Sequence, residues 1–230
     1  MGVITLKDVT KRYDQKTVLD SFSMEIQPGE LVAVMGASGS GKTTLFNIVG
    51  LLEDIDGGRI IINDYVDPKP SALMANIIQR RHIGYLFRDF ALAEEKSVEY
   101  NLHLALETLP TASGKPNLND LPSWSGWPGH KKENRDHAVD EALKRVDFKE
   151  SKNSKVAELN GTDKQRVAIA RLMLKSCNII LADEPTGSLD PKSRGAILGL
   201  IKDLNTQGKT VLIFSHDPVI GRECRRVVQL

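Results

Sequence analysis

Leu31-Val32-Ala33-Val34-Met35-Gly36-Ala37-Ser38-Gly39-Ser40-Gly41-Lys42-Thr43-Thr44 is an apolar run that breaks into glycines and ends on a lysine and two threonines. From Gly36 to Thr43 it fits the phosphate-binding loop pattern G-x-x-x-x-G-K-[ST], and the flanks fit as well. Leu31–Met35 reads as a buried strand. Leu45-Phe46-Asn47-Ile48-Val49 reads as the first turns of a helix. Gly36, Gly39 and Gly41 free the backbone to turn its N–H groups toward phosphate oxygens, with Ser38, Ser40 and Thr44 lining the same loop. The helix N-terminus adds partial positive charge. Lys42 reaches the β- and γ-phosphates, and the Thr43 hydroxyl holds Mg²⁺. The loop therefore predicts a nucleoside triphosphate site.

Around this loop the chain reads as an α/β protein. Residues 1–30 have the alternation of antiparallel strands, with Phe22, Met24 and Ile26 on one face, and Pro28-Gly29 turns the chain into the loop strand. A helix is expected over 42–52 and another near 71–81. Ile83–Phe87 is a second buried strand. Helical stretches near 97–109 and 133–147 bracket a Pro/Gly-rich segment, 110–129, that holds Trp124 and Trp127. These tryptophans either pack locally or form a docking element. A helix at 163–175, the strand 178–183, a helix at 191–207 and the strand 210–214 complete the pattern.

Three further places carry chemistry. Ile179-Ile180-Leu181-Ala182-Asp183-Glu184 is an apolar strand ending in two acids. Asp183 suits the Mg²⁺ position of P-loop enzymes, and Glu184 suits a group that orients an attacking water. His216 follows the strand 210–214, at the end of an α/β strand where such sheets bind ligands, and is a candidate for sensing the γ-phosphate. Tyr13 follows the first strand, where its ring either stacks on adenine or packs on the protein.

Bulk composition narrows the class. Over 230 residues, 31 Lys+Arg balance 30 Asp+Glu, which leaves no electrostatic footprint for nucleic acid. Cys177 and Cys224 have no metal or redox spacing. No apolar run approaches the roughly 20 residues of a membrane span, and the N-terminus reads as a strand rather than a signal peptide. The expectation is a cytoplasmic protein without direct membrane insertion.

Taken in order, Tyr13, Gly36–Thr44, Leu159-Asn160-Gly161-Thr162-Asp163-Lys164-Gln165-Arg166, Ile179–Glu184, Ser188-Leu189-Asp190 and His216 resemble the ATP-binding cassette (ABC) ATPases over nearly the whole chain. Val167-Ala168-Ile169-Ala170-Arg171 and Ala182–Asp190 look like the lipoprotein-release and macrolide-exporter branch. Tyr85-Leu86-Phe87, Phe90-Ala91-Leu92 and Ser97–Leu102 look like ATPases of small bacterial peptide or bacteriocin exporters. The resemblance implies one ABC ATPase domain over 1–230. A RecA-like P-loop core with an antiparallel β-subdomain would take 1–87 and 171–230, with a helical subdomain inserted at 88–170. It implies ATP and Mg²⁺, hydrolysis, and a dimer that sandwiches two ATP molecules. In that dimer Asn160, Gly161 and Thr162 of one chain face the ATP of the other, and Asp190 lies in the crossing segment. It also implies a separate transmembrane permease, with the chain peripheral on the inner face of the cell membrane.

Two departures bear on mechanism. The family's Leu-Ser-Gly-Gly signature reads Leu159-Asn160-Gly161-Thr162 in this chain, and β-branched Thr162 is expected to resist unusual backbone angles and to crowd a phosphate. Arg88 stands where the family has Gln. A guanidinium has no acceptor and cannot coordinate a cation, so Arg88 could instead grip the γ-phosphate or swing toward an acid. The leading reading is the energising subunit of an exporter, with a regulatory nucleotide-binding module of little turnover as the alternative. A soluble ATPase of DNA repair or translation fits the balanced charge and single cassette less well.

Overall fold

A computed structural model describes residues 2–107, 132–187 and 189–230 and divides the chain into two units. The Pro/Gly/Trp-rich segment 110–129 lies outside the described residues.

The first unit comprises Met1–Tyr85, Asn178–Glu184 and Asn205–Leu230. It contains β1 (Ile4–Tyr13), β2 (Lys16–Ile26), β3 (Leu31–Met35), α1 (Lys42–Val49), β4 (Gly57–Ile62), β5 (Tyr65–Val66), α2 (Leu73–Arg81) and β6 (Ile83–Leu86, whose last residue falls in the second unit). After the helical region come β7 (Ile179–Asp183), β8 (Thr210–Ser215), α7 (Pro218–Glu223) and β9 (Arg226–Gln229).

Two sheets result. One is antiparallel, in the order β2-β1-β4-β5. Its register sets Ile4 opposite Ile26 and Ile62, and Leu6 opposite Met24 and Ile60, so one face is a continuous buried apolar stripe. The other has the order β6-β7-β8-β3-β9, with β3, β7, β8 and β9 parallel. β3 and β8 are buried at every residue and β7 at all but its last. Runs without polar alternation belong in a sheet covered on both faces.

α1 is shorter than the expected 42–52. At Gly50 an added Cβ would meet Tyr85 Cε1 at 2.8 Å, and the Tyr85 hydroxyl donates to the Gly50 carbonyl. The chain then turns through Leu51 at φ 55°. Phe46 on α1 packs edge-on against Phe214 of β8, with ring centroids 5.5 Å apart. The sequence pattern did not predict α7 or β9. α7 is one short helix capped by Asp217, whose side chain accepts from Val219 N–H. β9 is a four-residue edge strand with only two apolar positions.

The second unit comprises Leu86–Cys177 and Pro185–Leu204. It contains α3 (Val98–Glu107), α4 (Lys132–Arg145), α5 (Gly161–Leu174) and most of α6 (Pro191–Thr206). α3 and α4 pack on α5, whose residues from Val167 to Leu174 are buried except Arg171. This division differs from a break at 170. α5 runs on to Leu174, and Gln165 in its second turn, itself buried, donates to the Pro185 carbonyl at 2.9 Å. That bond ties the start of 185–204 to the helices. Among the described residues, no helix is long and apolar enough to cross a membrane.

Candidate functional site

The register of the parallel sheet collects the site in the first unit. Met35 pairs with Ser215, and Asp183 pairs with Phe214. The loops after β3, β7 and β8 therefore leave the sheet at one edge, the carboxyl ends of the strands.

After β3 the chain makes the glycine-rich loop. Gly39 (φ 80°) and Gly41 (φ 101°) hold left-handed conformations, and a Cβ on Gly36 would fall 2.3 Å from Ser40 Oγ. Lys42 is buried at 8% exposure, and its Nζ donates to the carbonyls of Gly36 at 2.7 Å and Ala37 at 2.8 Å. The ammonium thus fixes the loop from inside. Ser40 Oγ is buried without a hydrogen-bond partner. α1 begins with no side-chain cap and no acidic residue in its first turn, so the partial positive charge of its N-terminus is unopposed. An open cradle, an orphaned hydroxyl and an uncapped helix start all fit an anionic phosphate chain. Thr43, the first-turn hydroxyl, is exposed.

Asp183 ends β7 and is half-buried. Glu184 follows at φ 43°, a left-handed conformation costing about 1–2 kcal/mol for a residue with a Cβ. Its N–H donates to the Phe214 carbonyl at 2.9 Å. The turn aims the side chain across to the end of β8. Glu184 Oε2 accepts from Ser215 Oγ at 2.7 Å, and Oε1 accepts from His216 N–H at 3.1 Å. His216 Nδ1 lies 2.6 Å from the same Oε1, while the ring is 67% exposed. With an Nδ1–H directed at the carboxylate, Nε2 faces outward as an acceptor, and a second proton makes it a donor to an anion. Sequence reading missed Ser215. Its signal was a hydroxyl directly before the candidate histidine at a strand end.

Tyr13 ends β1 and is 44% exposed, which places it at the surface rather than in the core. Its hydroxyl donates to Glu53 Oε1 and lies 3.4 Å from Thr44 Oγ1 in the first turn of α1. Burial raises the Glu53 pKa, but hydrogen bonds from Tyr13, Lys11 and Asn47 outweigh it, and the carboxyl is held below its usual range. Burial and the bond to Glu53 push the Tyr13 hydroxyl up, so it remains a donor.

The remaining predicted residues lie in the second unit. Asn160 caps α5. Its Oδ1 accepts from Asp163 N–H at 2.9 Å, and its Nδ2 donates to Asp163 Oδ2 at 2.7 Å. Thr162 sits in the first turn of a regular helix, without positive φ. The expected backbone strain there is absent, because in a helix start a β-branched residue needs no unusual angle. Asp190 caps α6. Its Oδ1 accepts from Lys192 N–H at 3.0 Å and Ser193 N–H at 3.1 Å, and bonding to Ser193 lowers its pKa. Asn160, Thr162, Asp163, Asp190 and Ser193 line an open depression of about 480 Å³.

Arg88 is exposed in the turn after β6. That turn continues through Phe90 (φ 67°) and Ala91 (φ 45°), and both carbonyls accept from the guanidinium of Arg171 on α5. Elsewhere on α3 and α4, Glu99, His103 and Asp136 converge. There the Lys152 ammonium already fills the cationic place, its Nζ 3.3 Å from Glu99 Oε1, and His103 Nε2 lies 3.2 Å from Asp136 Oδ1.

A parallel sheet whose carboxyl edge carries a glycine loop with a buried lysine, an Asp-Glu strand end and a histidine defines a P-loop nucleotide-binding domain. The family model for ABC transporters matches residues 19–187. YvrO of Bacillus subtilis, an uncharacterised ABC transporter ATP-binding protein, is 35% identical over 98% of this chain and 92% of its own length. The macrolide export ATP-binding/permease protein MacB of Campylobacter jejuni is 34% identical over 99% of this chain, which spans only 33% of that protein. The dimeric ABC transporter cassette MJ0796 superposes with a TM-score of 0.81 at 33% identity, covering 99% of this chain and 94% of that one. The same cassette also matches in a post-hydrolysis dimer bound to ADP and Pi. The chain belongs to the ABC transporter family and is a nucleotide-binding cassette of its ATPase class.

Proposed function

We propose that this cassette binds and hydrolyses ATP to drive export of a peptide, lipoprotein or small hydrophobic compound through a separate transmembrane permease. The observation that carries the chemistry is the assembly of Lys42, Glu184, Ser215 and His216 at one edge of one sheet. The loop Gly36–Thr44 receives the phosphates through backbone N–H groups, and Lys42 reaches the β- and γ-phosphates from its buried stem. Thr43 and Asp183 would hold Mg²⁺, which neutralises charge on the phosphate oxygens when bound. Glu184, fixed by Ser215 and His216, orients and polarises the attacking water. His216 presents Nε2 to the γ-phosphate.

The second half of the site comes from another copy, with Asn160, Gly161 and Thr162 facing the first copy's ATP and Asp190 at the crossing. The dimeric cassettes support this arrangement. The export direction is supported by the likeness to MacB, a macrolide export ATP-binding/permease protein. The chain then works on the inner face of the membrane through that permease.

The test is ATP turnover by the purified chain beside Glu184→Gln. We expect slow Mg-dependent hydrolysis in the wild type. In the variant we expect turnover down by about two orders of magnitude, with ATP binding kept and a dimer accumulating. Equal turnover in the two proteins would remove Glu184 from the chemistry. Affinity capture of the tagged chain from membranes should recover a multi-span protein, and capture of soluble partners alone would overturn the permease assignment.

A further inference from the structure

We infer that Glu53 is a positioning residue for nucleotide binding, holding the Tyr13 ring as a one-sided stacking platform for the base. The inference rests on the reading of Tyr13 as the base contact and adds what makes that ring rigid. A tyrosine at 44% exposure on the last residue of a strand has little to stop its ring from swinging. In this chain the hydroxyl is anchored. Glu53 Oε1 accepts from it, and Thr44 Oγ1 of α1 lies 3.4 Å away. Glu53 is itself fixed, with Lys11 Nζ 3.2 Å from Oε1 and Asn47 Nδ2 donating to Oε2 at 3.4 Å.

Lys11 completes the arrangement. Its Nζ donates to the Asp54 carbonyl at 2.9 Å and lies over the Tyr13 ring, 5.3 Å from the centroid. An ammonium over one face stabilises the ring by cation–π attraction and occupies that face. The opposite face is left for a flat π system. The segment carrying Glu53 is bolted to β1 beside Tyr13: Asp56 N–H donates to the Thr10 carbonyl at 2.9 Å, and Arg12 N–H donates to Asp56 Oδ2 at 2.7 Å. The ring is thus referenced to the first turn of α1, the turn that carries Lys42 and Thr43. Base and phosphates are thereby placed at a set spacing, although no atom of Glu53 needs to touch the nucleotide.

The roles separate with two probes, ATP and inorganic tripolyphosphate, each titrated calorimetrically with Mg²⁺. Tripolyphosphate engages the loop and has no base. Glu53→Ala is expected to raise the Kd for ATP about fivefold, the scale of losing one ordinary hydrogen bond, and to leave the Kd for tripolyphosphate unchanged. Tyr13→Phe, which keeps the ring and removes the hydroxyl, should match it. The double variant should be no worse than either single, and Glu53→Gln, which keeps an acceptor, should recover most of the affinity. Equal loss of both probes in Glu53→Ala would show that Glu53 only supports the loop and would overturn the inference. So would normal ATP affinity in Glu53→Ala when Tyr13→Ala binds ATP weakly. If Tyr13→Ala itself binds ATP normally, the base-contact reading fails first and takes the inference with it.

Discussion

Ser215→Ala tests whether Glu184 works as a held carboxylate. Ser215 is fully buried at the end of β8. Its Oγ donates to Glu184 Oε2 at 2.7 Å and accepts from Asp217 N–H at 3.1 Å. Removing the hydroxyl takes away the donor to Oε2 and leaves Oε1 with His216, whose N–H lies at 3.1 Å and Nδ1 at 2.6 Å. A hydrogen bond to a charged group contributes about 1.5–3 kcal/mol. If that restraint serves to aim Glu184 in the transition state, its loss lowers kcat roughly tenfold to a hundredfold. Ser215 pairs with Met35, the strand residue before the glycine loop, and its hydroxyl is bonded to Glu184 and Asp217, so the Kd for ATP is expected to stay put. The measurement is kcat and Kd for both proteins, with thermal unfolding as a folding control. In a Glu184→Gln background the same change should have little further effect, because the group being aimed is already disabled. A Ser215→Ala enzyme within twofold of wild-type kcat would refute the idea that this contact sets the geometry of hydrolysis.

Other substitutions probe the loop, the network and the turn. Gly41→Ala meets both φ 101° and a Val18 Cγ1 only 2.9 Å from the new Cβ, whereas Gly39→Ala meets φ 80° and open space. The first should lower stability by about 2 kcal/mol or more and the second by about 1 kcal/mol, read from urea midpoints. Because the Glu53 carboxyl is held below its ordinary value of 4.5, its stabilisation is present above that pH and lost as pH falls through the lower folded value. Glu53→Gln should therefore be most destabilising near neutrality and converge with wild type in acid, as followed by urea unfolding across the acid limb. Arg88→Gln should raise basal ATP hydrolysis severalfold by supplying the acceptor that a guanidinium lacks, and an unchanged or lower rate in the purified protein counts against that role.

The parts legible in the sequence are those whose signal is local. β3, β7 and β8 announce themselves as unbroken apolar runs, and Gly36–Thr44 carries its own turn chemistry. The topological consequence, Met35 beside Ser215 and Asp183 beside Phe214, follows once those strands are parallel neighbours. Glu53 and Lys11 were not legible, because what defines them is Tyr13 and Glu53 meeting across 40 positions of sequence. Thr162 was misread for the opposite reason. A local preference against unusual backbone angles was applied to a position that turned out to be an ordinary helix start. Glu184 holds a left-handed backbone that the sequence did not point to, and that turn is what directs its carboxylate to Ser215 and His216.

The two helix starts proposed to face the nucleotide differ in charge, and the difference shapes how closure of two copies would work. α1 has neither a side-chain cap nor an acid in its first turn, and its N–H groups are available to an anion. α5 is already capped by Asn160 and carries Asp163 in its first turn, with that carboxylate bonded to the Asn160 amide. The attraction of a helix N-terminus for an anion is about 0.3–1 kcal/mol. A unit-charged carboxylate in the same turn, about 6 Å from a phosphate charge, repels it by about 3 kcal/mol at an effective dielectric constant of about 20. The repulsion outweighs the dipole, so the start of α5 is unfavourable to an anion where that of α1 is favourable. In the proposed two-copy arrangement, affinity for ATP therefore comes from the P-loop side. Closure must draw on contacts other than the dipole of α5, and added salt should ease it at that surface by screening the Asp163 carboxylate.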